Sequence, residues 1–390
     1  MTTTRFSSNE HRPLTVVDLF SGAGGTGLGF LRAGFTILAA VEVDGDAAAT
    51  YAHNLGVRPI QSDIREISPE VLREDLKLER GDLDVLVGCP PCQGFTRMRN
   101  ASGADDPRND LVLVYAEFVR EFRPRFVVFE NVPGLVRSRH GRVYYNRLRS
   151  ALEEMGYAVV AREVDAADYG VPQHRKRIII TAGRDGEEPP DIARARTHGP
   201  PGSPEVLSGL LERWKTVGDT IKRYPPLKAG EENPAYPNHK ARRIGERVLS
   251  FIRKVPKDGG SRTDVPEEYW LACHKRHRGH KDVYGRLAWD RPANVITSGC
   301  TNVSKGRFVH PEQNRGLSLR EAAALQGFPD DFVFVGGMDS ISAQIGNAVP
   351  PPLAEAIAKL LRDRLLGVLG TDIGFRDAVF FPLMHVGVED

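Results

Sequence analysis

The sequence predicts an α/β fold: a Rossmann-like, mostly parallel sheet with a second, smaller and irregular domain. Two observations predict it. Over residues 14–182, short runs rich in β-branched residues alternate with stretches of helical periodicity. Such alternation builds a mostly parallel sheet covered on both faces. After residue 183 the texture changes, and residues 185–315 are rich in Pro, Gly, Arg and His with weak periodicity.

Taken in order, the β-rich runs are 14–20, 36–41, 83–87, 125–129, 158–164 and 177–181. Helical periodicity marks 111–122 and 144–155, and returns at 318–326 and 353–365. Residues 370–390 carry no assignable pattern. The expected division is 1–184 for the sheet domain, 185–315 for the smaller domain and 316–390 for a C-terminal segment.

Composition bounds the class. The 390 residues are 41% hydrophobic and 27% charged, ordinary for a globular chain with a real core. The formal net charge of +2 leaves nucleic-acid binding open, because a local basic face decides it. The cysteines, Cys89, Cys92, Cys273 and Cys300, are too sparse for a disulfide framework, which favours a reducing, cytoplasmic setting. Residues 1–12 are polar and lack the apolar core of a signal peptide, and no apolar run is long enough to span a bilayer.

The first β-run leads into Asp18-Leu-Phe-Ser-Gly-Ala-Gly-Gly25. Glycines here let the backbone turn sharply and approach a ligand, while the following helix offers free N–H groups and a positive dipole end. Glu42 ends the next run, where a carboxylate can accept from ribose hydroxyls. Asp63 is placed to meet an adenine amino group. By itself this loop suits NAD, FAD or S-adenosylmethionine, or is only a tight turn.

A second segment, Gly88-Cys-Pro-Pro-Cys-Gln-Gly-Phe-Thr96, follows an apolar run and so sits at the ligand-binding edge of the sheet. Pro90 and Pro91 stiffen the approach to Cys92. Cys89 and Cys92 also form a C-x-x-C, which could hold zinc or act in redox chemistry. The only further ligands are the remote Cys273, His274, His277 and His280, so no metal is expected. Cys89 continues the strand and reads as packing.

Together these segments resemble the motifs of the cytosine-5 DNA methyltransferase family, of the prokaryotic, restriction–modification type. Asp18–Gly25 resembles the family's cofactor loop and Pro91-Cys92-Gln93 its catalytic loop. Glu130-Asn131-Val132 resembles the glutamate motif, and Gln173, Arg175 and Arg177 the arginine motif. Arg320 with Gln326-Gly-Phe-Pro329 resembles a late structural motif, and Gln344 through Pro351 the final, cofactor-side motif. All stand in family order.

The resemblance implies a seven-stranded methyltransferase sheet, a target-recognition domain over 185–315, and a C-terminal segment that partly returns to the catalytic domain. It implies S-adenosylmethionine as cofactor, held by Asp18, Phe20, Gly22, Ala23, Gly25, Glu42, Asp63, Ile64, Pro91, Leu111, Asn347 and Val349. It makes Cys92 the nucleophile at cytosine C6, with Glu130 at N3 and the exocyclic amine and Arg177 at O2. Arg175 is then expected to support the loop or a phosphate near the target. A base inside a duplex must be flipped out to be reached. The implied partner is double-stranded DNA, with a cognate endonuclease on the same sequence; there is no membrane role, and a monomer suffices.

Basic stretches at 137–149, 239–253 and 274–281 are candidates for phosphate contact, and 299–305 for a recognition loop. Thr96 and Ala348 stand where family members often carry Ser. The alternative within the family is a tRNA cytosine-5 methyltransferase, to which the Thr96-Arg97 pair points. A non-catalytic binding module would not need Cys92, Glu130, Arg177 and Asn347 intact. An oxidoreductase would explain the glycine loop and none of the later motifs.

Overall fold

A computed structural model describes residues 12–91, 107–270 and 282–368. Cys92, Thr96, Arg97, the cluster from Cys273 to His280 and residues 370–390 lie outside the described residues.

The sheet forms from β1 (Leu14–Leu19), β2 (Phe35–Val41), β3 (Val85–Gly88), β4 (Phe126–Asn131), β5 (Ala158–Asp165) and β6 (Lys176–Gly183). Their order is β2-β1-β3-β4-β6-β5. β1 pairs in parallel with β2 and β3, and β3 with β4, whereas β6 runs antiparallel to both β4 and β5. All six sequence runs became strands; the described sheet therefore has six strands where seven were expected. Next to β2, where a further edge strand would add, Ile60 makes a lone parallel bridge to Val41. Pro59 precedes it and has no N–H to extend a ladder.

Helices cover both faces: α1 (Gly25–Arg32), α2 (Gly45–Leu55), α3 (Pro69–Asp75), α4 (Leu111–Phe122), α5 (Gly134–Arg137) and α6 (Arg139–Glu154). In α4, Leu111, Val112, Tyr115, Ala116, Phe118, Val119 and Phe122 are buried, the repeat of one helical face laid on a sheet. The Tyr115 hydroxyl sits 2.9 Å from Leu86 O and 3.0 Å from Val128 O, behind β3 and β4. The polar α6 starts at Ser138, whose Oγ accepts from Gly141 N, and is held by Leu148 and Leu152.

Beyond β6 come the short strands β7 (His198–Gly199) and β8 (Glu212–Arg213) and the short helices α7 (Pro204–Leu207), α8 (Val217–Ile221) and α9 (Glu246–Ile252). This region has a small apolar cluster of its own, including Phe251, Ile252, Val265, Tyr284 and Val309. It is not cut off from the sheet: one larger cluster runs from Val16 and Phe35 through Ile296 and Phe308 to Leu361. With little ladder to occupy the backbone, buried arginines take its place. Arg286 donates to Val255 O, His310 O, Gln313 O, Ile252 O and Asn314 Oδ1. Arg315 pairs with Glu321 through two contacts of 2.7 Å while also donating to Leu227 O and Gly316 O. A fixed fork of five donors suits loop carbonyls that no strand satisfies.

The chain then returns to the sheet through α10 (Leu319–Leu325), α11 (Met338–Asn347) and α12 (Pro351–Leu365). α12 lies against α1 so closely that a Cβ on Gly29 would stand 2.5 Å from the Ala354 Cβ. Among the described residues no helix is long and apolar enough to cross a membrane.

Candidate active site

The carboxyl ends of β1 and β2 carry the glycine loop. Phe20, Gly22 and Gly24 all take positive φ, at 57°, 54° and 97°. A turn this sharp is cheap for glycine and strained for phenylalanine. A Cβ built on Gly22 would meet nothing within 4 Å, so the loop borders open space there. No side chain caps the α1 N-terminus at Gly24. Glu42 reaches across, Oε2 accepting from Gly22 N and Oε1 from Asp44 N, each at 2.8 Å. Burial raises its pKa above the ordinary glutamate range.

Asp18 stands elsewhere than its place in the motif suggests. Its side chain is beneath the loop, 1% exposed, where the Tyr51 hydroxyl donates to it at 3.2 Å. Burial pushes its pKa up to about 7. It supports the loop from below. Ala23 is likewise buried at 2%, whereas Ile64 and Leu111 belong to one apolar cluster against which Phe20 packs. Asp63 caps the turn that begins at Ile64, and it pairs with Arg65, whose Nε lies 2.9 Å from Oδ1. The Arg65 hydrogen bonds hold its pKa down to about 2.

The final motif closes on this loop. A Cβ on Gly25 would come 2.2 Å from Val349 O, so only glycine lets the two segments meet. Val349 is buried and Asn347, the last residue of α11, is exposed.

At the next strand ends, Asn131 Nδ2 donates to Pro90 O at 3.2 Å, strapping the stem of the Cys92 loop to β4; Pro91 is half-buried beside it. Sequence reasoning gave Asn131 no such role; an Asn ending an apolar strand was the available signal. On the far side of the loop, Asn109 Nδ2 lies 3.0 Å from His140 Nε2 in the first turn of α6. The Cys89 thiol, 3.7 Å from the Thr26 hydroxyl, is pushed well above the usual thiol range by burial and then by the Glu130 charge. A thiol held protonated in this way is disfavoured as a nucleophile.

The register of β4 on β6 brings Glu130 and Arg177 together, Nε to Oε1 at 2.7 Å. Both side chains are only slightly exposed, 12% and 11%, where β4 ends and β6 begins. Arg175 goes the other way. It is 3% exposed and donates to Ile296 O, Gly346 O and Ala348 O at 3.0, 3.0 and 3.1 Å. The expectation that it supports the catalytic loop or a phosphate is therefore corrected: Arg175 precedes β6, so strand alternation, which would set it on the same side as Arg177, does not govern it, and its side chain turns inward onto the final motif. Gln173 and Gln326, whose amides hydrogen-bond each other, extend this buried seat.

The basic stretches divide. In α6, Arg139, Arg142 and Arg147 are exposed, and among the described residues no acid pairs with them, whereas Arg137 pairs with Glu163 and Arg149 with Glu153. The stretch 239–253 is largely structural: His239 is fully buried between Ser318 Oγ and Pro225 O, and Arg253 pairs with Glu246. In 299–305, Cys300 and Thr301 are buried while Ser304 and Lys305 are exposed. The stretch 274–281 lies outside the described residues.

The family model described as C-5 cytosine-specific DNA methylase matches residues 14–362.

The chain belongs to the C-5 cytosine-specific DNA methylase family.

It is 39% identical to the Type II methyltransferase M1.HphI of Haemophilus parahaemolyticus, over 89% of this chain and 86% of that one. It is 35% identical to the Type II methylase M.HgiDII of Herpetosiphon aurantiacus, over 90% and 96%. A solved E. coli structure described as a prophage-encoded DNA modification methyltransferase superposes with a TM-score of 0.66 at 26% identity, covering 90% of this chain and 99% of that one. The matched region runs from β1 into α12, so the fold-back of α12 onto α1 falls inside it.

Proposed function

We propose that this chain is a DNA (cytosine-5)-methyltransferase that transfers methyl from S-adenosylmethionine to C5 of a cytosine flipped out of a specific duplex sequence. The observation that carries the reading is the Glu130–Arg177 pair where β4 ends and β6 begins, beside the strapped stem of the loop that leads to Cys92. Family membership supplies the reaction class, and the family's description as a DNA methylase favours DNA over the tRNA alternative.

The residues present fit S-adenosylmethionine. The uncapped N-terminus of α1 suits its carboxylate, the lone pairs left on Glu42 suit ribose hydroxyls, and the Phe20–Ile64–Leu111 face suits adenine. Asp63 would need to share its carboxylate between Arg65 and the adenine amine. Gly22, Gly25, Pro91, Asn347 and Val349 complete the surround. When bound, the cofactor supplies an electrophilic sulfonium methyl.

The protein's own part is to make C5 nucleophilic. Cys92, as thiolate, adds to C6, and the ring's electrons move toward N3 and O2. Glu130 holds a proton or hydrogen bond at N3, and Arg177 faces O2. Their ion pair keeps both groups in one geometry before the base arrives. After transfer, loss of the C5 proton and expulsion of the Cys92 sulfur restore the aromatic ring. A thiol of ordinary pKa, about 8.5, is mostly protonated near neutrality, so the thiolate must be favoured by its surroundings.

The domain organisation follows the same reading, with 1–184 catalytic, 185–315 for target recognition and 316–390 returning in part to the catalytic domain. The setting is a cytoplasmic restriction–modification pair, the cognate endonuclease cutting the same unmethylated sequence. Single-base bisulfite sequencing of plasmid and genomic DNA from cells expressing the chain tests it. Protection at one short recurring sequence, absent with Cys92→Ala, is expected. Unprotected DNA together with protected tRNA cytosines would replace it with the RNA reading.

A further inference from the structure

The buried Arg175 guanidinium bridges two parts of the chain that are distant in sequence. One nitrogen donates to Ile296 O at 3.0 Å; the other donates to Gly346 O and Ala348 O at 3.0 and 3.1 Å, on either side of Asn347. Around it the same two segments are tied again. Gln173 Oε1 accepts from Ile296 N at 3.0 Å, and Gln326 Nε2 donates to Ala348 O at 2.7 Å. His174 N donates to Ala293 O at 2.9 Å. A Cβ on Gly346 would stand 2.0 Å from the Thr297 carbonyl carbon, so these backbones touch directly.

The two segments end in different places. Residues 293–298 turn their backbone inward to this seat, bridging Gln173 through Ala293 just before β6, while Asn294, Val295, Thr297 and Ser298 are exposed. Residues 346–349 continue to the glycine loop, where Val349 O packs on Gly25. A shift of either segment must therefore be accommodated at one buried, hydrogen-bonded guanidinium. Close-packed, buried contacts of this kind transmit displacement rather than absorb it.

We propose that Arg175 is a positioning residue that couples occupancy of the DNA face at 294–298 to occupancy of the cofactor pocket at 347–349, so that each ligand tightens the other. The inference rests on the methyltransferase reading. Thermodynamic linkage requires the effect to be reciprocal.

The test is a binding cycle. Calorimetry gives the affinity of the full chain for S-adenosylhomocysteine, alone and with a saturating duplex that carries the bisulfite-mapped sequence. Fluorescence anisotropy gives the converse. The wild type is expected to show the same tightening, about fivefold or more, in both directions. Arg175→Lys, which keeps the charge and loses the fork, is expected to bring that factor within about twofold of unity while each ligand alone still binds. Gln326→Met, which removes only the Ala348 tie and nearly conserves volume, is expected to lower the factor part of the way, and it decides the matter if Arg175→Lys does not fold. Unchanged coupling in the folded variants, or none in the wild type, overturns the proposal and leaves the enzyme reading standing. A wild type that binds neither ligand sinks both.

Discussion

Glu130 and Arg177 are separated by a long stretch of chain and meet at 2.7 Å because antiparallel β6 slots in beside β4. Their contact was legible only as two motif residues; that they touch is a fact of sheet register. Glu130→Gln is expected to slow methyl transfer by about 100-fold or more, read as tritium transfer from the cofactor, with affinity for S-adenosylhomocysteine little changed. For Cys92→Ala, transfer is expected to vanish while gel-shift affinity for the target duplex persists; full activity would sink the covalent mechanism. The sequence sets Cys92 apart from Cys89, whose partly buried thiol has its pKa pushed up by its surroundings. Asp18 was not legible: a motif acid looks like a ligand, yet burial holds its proton up to about pH 7, against an ordinary value of 3.8. The folded chain thus binds more protons than the unfolded one between those values. The stability that this adds is complete below the ordinary pKa and is lost as pH rises through about 7. Asp18→Asn is accordingly expected to show a smaller fall in Tm between about pH 5 and pH 8 than the wild type. An equal fall in both would show that Asp18 does not titrate there.

Among the elements, strands were easier to read than helix starts. Every apolar β-branched run became a strand within a few residues, because burial on both faces of a parallel sheet needs just that composition. Among the described residues the sheet has six strands, and beside β2 the chain adds only the Val41–Ile60 bridge, with Pro59 lacking an N–H to extend it. α6 begins several residues before its periodicity does, since its first turns are Arg, His and Tyr on a solvated face and the start is set by the Ser138 cap. That face yields a prediction of its own. Replacing Arg139 and Arg142 with Ala is expected to weaken binding of specific and non-specific duplexes alike and to lower the slope of log K against log salt by about 2. A change confined to the specific sequence would instead assign them to base readout. Where α1 starts, Gly25→Ala puts a methyl group 2.2 Å from Val349 O. A stability loss of about 1–3 kcal/mol in urea titration, with weaker S-adenosylhomocysteine binding, is expected.

For the whole molecule, the irregular region between β6 and α10 poses the question of what holds a fold with so few ladders. Its answer, buried arginines spending their donors on loop carbonyls, was invisible in advance. Arginine in a loop reads as surface charge, and only the tertiary fold shows that Arg286 is 1% exposed. Arg286→Met leaves those carbonyls without their donor and is expected to cost more than about 3 kcal/mol, measured by urea unfolding. A loss below about 1 kcal/mol would mean that water replaces the guanidinium.

The packing of α12 on α1 also sets a timetable for the newborn chain. While the ribosome is still reading through the middle of the message, the glycine-notched side of α1 has nothing to lie against, and its apolar surface must wait in the open or be sheltered by a chaperone. Contacts between such distant stretches form late, because the loop between them must close first. The glycine loop is backed only once α12 has emerged, so a chain cut short before that helix is expected to lack the packed pocket.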